Sequence, residues 1–258
     1  MGTLDLFDLT DRVALVTGAA RGLGRAMATA LAEAGARLVI ADNNGPGAQG
    51  AAAALRSSGH DALPLTVDVT QPDAVDRMVQ DTLEAYGRID VLLNNAGINY
   101  GGEFPPEDLG QCIWDEILAV NLTGSFLCAQ AVGRQMIRQG RGKIINMASM
   151  SGIIVQRLTD RHPLPYCVSK AGVIMLTKVL AVEWARHHIN VNAIAPTFFK
   201  TEILYPDSKI QAEMVDSIPM GRLGEPAELA GTVVYLASEA SDFVTGHVLL
   251  VDGGYTAW

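Results

Sequence analysis

The chain has 258 residues, 49% of them apolar and 18% charged, with a formal net charge of −9. That length and composition supply a sizeable soluble core, while the acidic balance and the lack of any lysine or arginine run argue against a nucleic-acid or membrane face. Three cysteines, Cys112, Cys128 and Cys167, show no CxxC or metal spacing, which fits a reducing, cytoplasmic setting better than a disulfide framework.

The opening residues, MGTLDLFDLTDR, lack the basic start and apolar stretch of a secretory signal, and no uninterrupted apolar run approaches a membrane span. A β-branched run predicts a first strand at Val13–Thr17, followed by a helix over Gly22–Ala34. The pattern repeats along the chain. Strands at Leu38–Ala41, Leu63–Val67, Val91–Leu93, Lys143–Met147 and Asn190–Ile194 are each followed by helical periodicity, at Pro46–Ser57, Pro72–Tyr86, Trp114–Gln139, Tyr166–His187 and Pro226–Ala237 in turn. A last strand is predicted at Val248–Val251. Such alternation predicts one α/β domain over 1–258, a parallel sheet with helices on both faces. The rhythm breaks at Gln156–Pro165 and at Thr197–Asp216, so loops near 152–165 and 197–216 are expected to border the substrate, the second as a lid.

Gly18, Gly22 and Gly24 line the turn from the first strand into the first helix, where bare backbone N–H groups can approach a pyrophosphate. Their spacing, Gly-x3-Gly-x-Gly, departs from the generic dinucleotide fingerprint, and loop punctuation alone would explain them. Asp42, 18 residues after Gly24, follows the second strand, where a carboxylate accepts from ribose hydroxyls and repels a ribose phosphate. NAD is therefore favoured, with NADP kept open by Arg21 inside the glycine turn. Asp68 and Val69 end the third strand, placed for an adenine edge. Asn94-Asn95-Ala96-Gly97 ends the fourth in a polar turn near the switch point of the sheet.

Tyr166 and Lys170 lie four residues apart on one helix face, so the ammonium can favour the phenolate and make Tyr166 an acid/base. With Ser149 upstream and the glycine turn, they describe a hydride-transfer site. Cys167 points elsewhere around the helix and reads as packing. His187 and His188 have no third ligand, and no metal site is expected.

In order, Thr17-Gly-Ala-Ala-Arg-Gly-Leu23-Gly24, Asn94-Asn-Ala-Gly97, Asn121, Ser149, Tyr166-x3-Lys170, Pro196 with Thr201, and Val251-Asp-Gly-Gly254 resemble the short-chain dehydrogenases/reductases over essentially the whole chain. The resemblance implies a single Rossmann-type, doubly wound domain with a seven-stranded parallel sheet, assembled as a homotetramer. It implies that Tyr166 is the general acid/base, that Lys170 lowers its pKa and holds the nicotinamide ribose, that Ser149 bonds the substrate oxygen, and that Asn121 holds a water leading from Lys170 to solvent. Leu23 with the glycines, Asn95, Ala96, Gly97, Pro196 and Thr201 would contact the cofactor. Ser151 is an alternative to Ser149. Two departures stand out. Ser149 and Tyr166 are 17 residues apart, four more than is usual in the family, and Thr197 replaces the usual glycine after Pro196. A β-branched residue there means the turn does not need a positive φ.

The inserted segment before Tyr166 carries Arg157, Arg161 and His162, and paired arginine hydrogen bonds suit a carboxylate. A small-molecule substrate of the sugar-acid or polyol class is expected, with a solvated loop as the alternative. Lys200 has the same two readings. Stretches such as Trp184–Pro196 and Ser241–His247 resemble the gluconate 5-dehydrogenase and 2-deoxy-3-ketogluconate dehydrogenase branch of the family. The competing functions are a 3-oxoacyl thioester reductase and a non-catalytic NAD(H) sensor.

Overall fold

A computed structural model describes residues 2–100, 102, 104–156, 162–202 and 208–257. Seven parallel strands, β1 (Val13–Thr17), β2 (Arg37–Asp42), β3 (Ala62–Thr66), β4 (Val91–Asn94), β5 (Gly142–Met147), β6 (Ile189–Pro196) and β7 (Val248–Val251), form one sheet. Their order is β3-β2-β1-β4-β5-β6-β7, so the single α/β domain expected from the alternation is the one observed. The order reverses between β1 and β4, and ligands of open parallel sheets bind beyond the strand C-termini at such a reversal.

Each strand feeds its alternate residues to opposite faces. Ala14, Val16, Leu38, Ile40, Leu93 and Ile145 pack on one side with Met27 and Leu31 of α1 (Gly22–Glu33), Leu55 of α2 (Gly45–Ser57) and Val233 of a later helix. Val13, Leu15, Val39, Leu92, Ile144 and Val191 pack on the other with Val75 and Met78 of α3 (Pro72–Tyr86). Both faces are covered, which is why β1 and β4 are apolar without alternation. Asn44 caps α2 by accepting from Gly47 N, and Gly87 ends α3 at φ +74°.

The predicted helix over Trp114–Gln139 is three elements: α4 (Gln111–Leu118), a π-helical turn at Ala119–Gly124 and α5 (Ser125–Gln139). α6 (Leu164–Trp184) stops sooner than predicted, passing through a 3-10 turn at Ala185–His187 that His188 ends at φ +57°. The 197–216 interval is not all loop, since α7 (Ser208–Ser217) takes up its second half, its apolar Ile210, Met214 and Val215 spaced for one face. The helix predicted from Pro226 begins as a 3-10 turn and becomes α8 (Ala230–Ala237).

Among the described residues two helical stretches, Gln111–Gln139 and Leu164–His187, are long and apolar enough by length and composition to cross a membrane, although residues such as Glu116, Asn121, Lys170 and Lys178 interrupt each apolar run. Part of their apolarity faces the sheet, through Cys128, Val132 and Met136 of α5 and Ala181 of α6. Phe126 on α5 and Val168, Met175, Val179 and Val182 on α6 are exposed.

Candidate active site

The C-terminal ends of β1 and β4 are stitched together by the glycine turn. Gly18 takes φ +63°, and a Cβ there would lie 2.8 Å from Ala96 Cα. Gly24 is tighter still, with a Cβ 2.3 Å from both Asn95 Nδ2 and Gly18 O. Asn95 explains the crowding: its Nδ2 donates to Thr17 O at 3.0 Å and Gly18 O at 2.9 Å. Thr17 Oγ1 accepts from Asn95 N and Ala96 N, both at 3.1 Å. Gly22 opens α1 at φ +56°, and no heavy atom lies within 4 Å of the place its Cβ would take. A left-handed glycine with clear space at a helix N-terminus is a cradle suited to a phosphate.

Asp42 fastens the turn to β2, its Oδ2 accepting from Ala20 N at 3.0 Å and its Oδ1 from Asn44 N at 2.9 Å. Each oxygen keeps a second lone pair for a ribose hydroxyl. Arg21, at the N-cap of α1, is exposed, and its guanidinium has no hydrogen-bond or ion-pair partner among the described residues. Asp68 is exposed and spends Oδ1 on Thr70 N and Thr70 Oγ1, at 2.9 and 2.8 Å. Val69 is buried under the π turn, where a Cβ on Gly124 would meet it at 2.7 Å.

On α6, Lys170 Nζ lies 5.6 Å from the centre of the Tyr166 ring. Lys170 is only 5% exposed, donates to Met147 O at 2.7 Å, and burial pushes its pKa down to about 8. Ser149 follows β5, buried, and caps the short 3-10 turn Met150–Gly152 by accepting from Ser151 N at 3.1 Å. That turn lies directly on α6, since a Cβ on Gly152 would fall 2.6 Å from Lys170 C. Ser151 Oγ accepts from Gln156 Nε2, which engages the alternative serine with the inserted segment.

Asn121 sits inside the π turn and is fully buried. Its Oδ1 accepts from Ile98 N at 2.8 Å, and its Nδ2 donates to Ile98 O at 2.9 Å and to Ser169 Oγ at 3.0 Å. Ser169 Oγ then donates to Tyr166 O at 2.7 Å. Asn121 thereby ties the segment after Gly97 to the tyrosine turn, and a Cβ on Gly97 would lie 3.3 Å from Asn121 Oδ1 and 3.5 Å from Lys170 Nζ. Sequence reasoning missed Ser169, although its place immediately before Lys170 in Tyr166-x3-Lys170 marks it. It also missed the buried chain beneath the site, in which Asn94 Nδ2 donates to Asn146 Oδ1 and Asn146 Nδ2 to Thr177 Oγ1, each at 2.9 Å.

Pro196 ends β6 in register with Val251, and Thr197 has no positive φ, as its β-branched side chain requires. Thr201 is half-buried just beyond. Lys200 is exposed and pairs with the exposed Glu225, which fits the solvated reading. His162 is half-buried beside the start of α6, and Gly102 packs close to Pro163, where an added Cβ would lie 3.4 Å from Pro163 N. Arg157 and Arg161 lie outside the described residues. Among the described residues no group of three or more His, Cys, Asp or Glu side chains could hold a metal.

A family model described as Enoyl-(Acyl carrier protein) reductase matches residues 18–256. A short-chain type dehydrogenase/reductase from Mycobacterium marinum superposes with a TM-score of 0.95 at 42% identity, covering 100% of each chain. The chain is a short-chain dehydrogenase/reductase. Among relatives of this short-chain dehydrogenase/reductase, the NAD-dependent glycerol dehydrogenase of Listeria innocua is 42% identical over 252 residues, 97% of this chain and 96% of the relative. A gluconate 5-dehydrogenase from Burkholderia cenocepacia J2315, solved in complex with NADP and tartrate, is 40% identical with a TM-score of 0.91, covering 100% of both chains. This short-chain dehydrogenase/reductase is accordingly an oxidoreductase of CH–OH groups that takes a nicotinamide dinucleotide.

Proposed function

We propose that the protein interconverts a secondary alcohol and a ketone on a polyol or sugar acid, with NAD(H) and with Tyr166 as general acid/base. One observation carries the reading: a buried lysine with its pKa brought down to about 8 lies one helical turn from Tyr166, both beside the turn that Ser149 caps. The bound nicotinamide would supply or receive the hydride. The glycine turn, Leu23, Asn95, Ala96 and Gly97 would hold the dinucleotide, Asp68 and Val69 would serve its adenine end, and Pro196 and Thr201 its nicotinamide end. Tyr166 gives or takes the proton at the substrate oxygen, and Ser149 donates a hydrogen bond to that oxygen. Lys170 spends one of its three N–H groups on Met147 O and keeps two for a ribose hydroxyl and the phenol side. Asn121 holds this group together through Ile98 and Ser169, and its remaining lone pair serves a water on the route from Lys170.

Asp42 supports NAD over NADP by charge, and the unpaired Arg21 opposes it. Like-charge repulsion at the ribose outweighs one exposed arginine. Substrate choice rests on the polyol and sugar-acid relatives, with His162, Arg157 and Arg161 offered to a carboxylate. The exposed apolar face of α5 and α6 supports a homotetramer. A cytoplasmic place, with no membrane or nucleic-acid partner, follows from the acidic, reduced chain.

The test is NAD+ reduction across glycerol, threitol, gluconate and simple secondary alcohols, alongside NADH oxidation with β-ketoacyl thioesters. Turnover only on thioesters would replace this reading with the reductase alternative. Tyr166→Phe should lose turnover and keep NADH binding; turnover retained in this variant would remove Tyr166 from the chemistry.

A further inference from the structure

A separate apolar cluster lies outside the two that sandwich the sheet. Met150, Met214, Ile218, Leu223 and Tyr255 are buried together, with Ile154, Phe198, Ile210 and Val215 packed against them. These residues come from five places: the turn after Ser149, the segment leaving β6, α7, the segment after α7 that carries Ile218 and Leu223, and the chain after β7. Tyr255 is 6% exposed and meets the Phe198 ring edge-on, with centroids 5.9 Å apart at 80°.

The backbone around Tyr255 is built to hold it there. Asp252 accepts from Gly254 N at 3.0 Å, Thr256 N at 2.9 Å and Thr256 Oγ1 at 2.6 Å. Gly253 and Gly254 are left-handed at φ +59° and +89°, and Cβ atoms on them would lie 2.7 Å from Ile218 and 3.2 Å from Pro219. Met220 N donates to Gly253 O at 3.2 Å, which joins the end of α7 to this turn. The phenol Oη has no hydrogen-bond partner among the described residues, so the ring, not the hydroxyl, makes the contact.

We infer that Tyr255 is a positioning residue that seats α7 and, through Phe198, the segment bearing Thr201. Its ring is the common surface on which α7 and the segment leaving β6 settle, and it backs Met150, the neighbour of Ser149. The chain after the last strand thus sets the geometry of the nicotinamide and substrate side. The inference rests on the proposed role of Thr201 at the nicotinamide, and its first readout needs no cofactor.

Hydrogen exchange of the free protein tests it, comparing α7 with the sheet in Tyr255→Ala and Tyr255→Phe. Tyr255→Ala is expected to lose protection in α7 by roughly tenfold or more while β1, β4 and β5 keep theirs, and to raise the NADH Kd about three- to tenfold. Tyr255→Phe, which keeps the ring, should match the wild type on both counts. Unchanged α7 exchange in Tyr255→Ala, equal loss across the sheet, an unchanged NADH Kd with a loosened α7, or a Tyr255→Phe variant as impaired as alanine would each overturn the inference. Should Tyr255→Ala not fold, Tyr255→Leu carries the same readouts, because it fills volume without the edge-on contact.

Discussion

Replacing Lys170 with methionine separates the lysine's chemical use from what its burial costs the fold. Burial lowers its pKa from the ordinary 10.5 to about 8. At about 1.4 kcal/mol for each tenfold change in equilibrium, the charged form costs the folded state about 3 kcal/mol. Below pH 8 both folded and unfolded chains carry the proton and the cost is fully present. Between pH 8 and 10.5 the folded lysine is neutral while the unfolded one still binds its proton, so wild-type stability rises with pH through that window. Lys170→Met removes the cost but orphans Met147 O, which returns about 1–3 kcal/mol. At pH 7 the variant should be as stable as the wild type, or up to about 2 kcal/mol more stable. By pH 10.5 it should be the less stable of the two. The difference shifts by about 3 kcal/mol, or roughly 6–12 °C in Tm for a chain of this size. Thermal unfolding at fixed protein concentration, without cofactor, between pH 7 and 10.5 measures it. A Tm difference that stays constant across this range would refute the reasoning, because Lys170 would then titrate as it does in water.

Gly24→Ala forces a Cβ to 2.3 Å from Asn95 Nδ2 and Gly18 O, which should cost about 1–3 kcal/mol and weaken NADH binding more than tenfold, read by fluorescence titration. Asn146→Ala leaves Thr177 and one Asn94 N–H without their partner in the buried chain. A loss of roughly 2–3 kcal/mol is expected, seen as a Tm drop of about 5–10 °C. Asp42→Ala removes the carboxylate nearest the proposed ribose site and with it the acceptors of the Ala20 and Asn44 backbone N–H groups. The ratio of kcat/KM for NADPH over NADH should rise, with both absolute values reduced by the loosened glycine turn.

Strand positions were legible because buried parallel strands must be apolar and β-branched, and each boundary fell within a few residues of its predicted place. The doubly wound order followed from the resemblance. The π turn at Ala119–Gly124 was not legible, since its residues suit an α-helix equally well. What breaks the ladder is tertiary: Asn121 turns inward to Ile98, and Gly124 lies against Val69. The partner of Lys200 was not legible for a similar reason, because Glu225 is 25 residues away and is brought to it by the paired segments at Phe199 and Gly224. The proximity of Tyr166 and Lys170 was legible because a helix sets their spacing locally. Ser169 and Thr17 were overlooked because ordinary hydroxyls gain meaning only from what folds against them.

The order of the sheet also dictates how the chain is assembled as it is made. Among the described strands, β1 with β4 is the one pairing between strands that do not follow one another in sequence. Closing it brings together residues such as Val13 and Asp90, 77 positions apart, and the carboxylate of Asp90 accepts from Val13 N at 3.0 Å. This is the costly long-range event, after which β5, β6 and β7 each add beside the strand just laid down. A growing chain therefore completes the dinucleotide half first and builds the catalytic half onto an existing edge, one strand at a time.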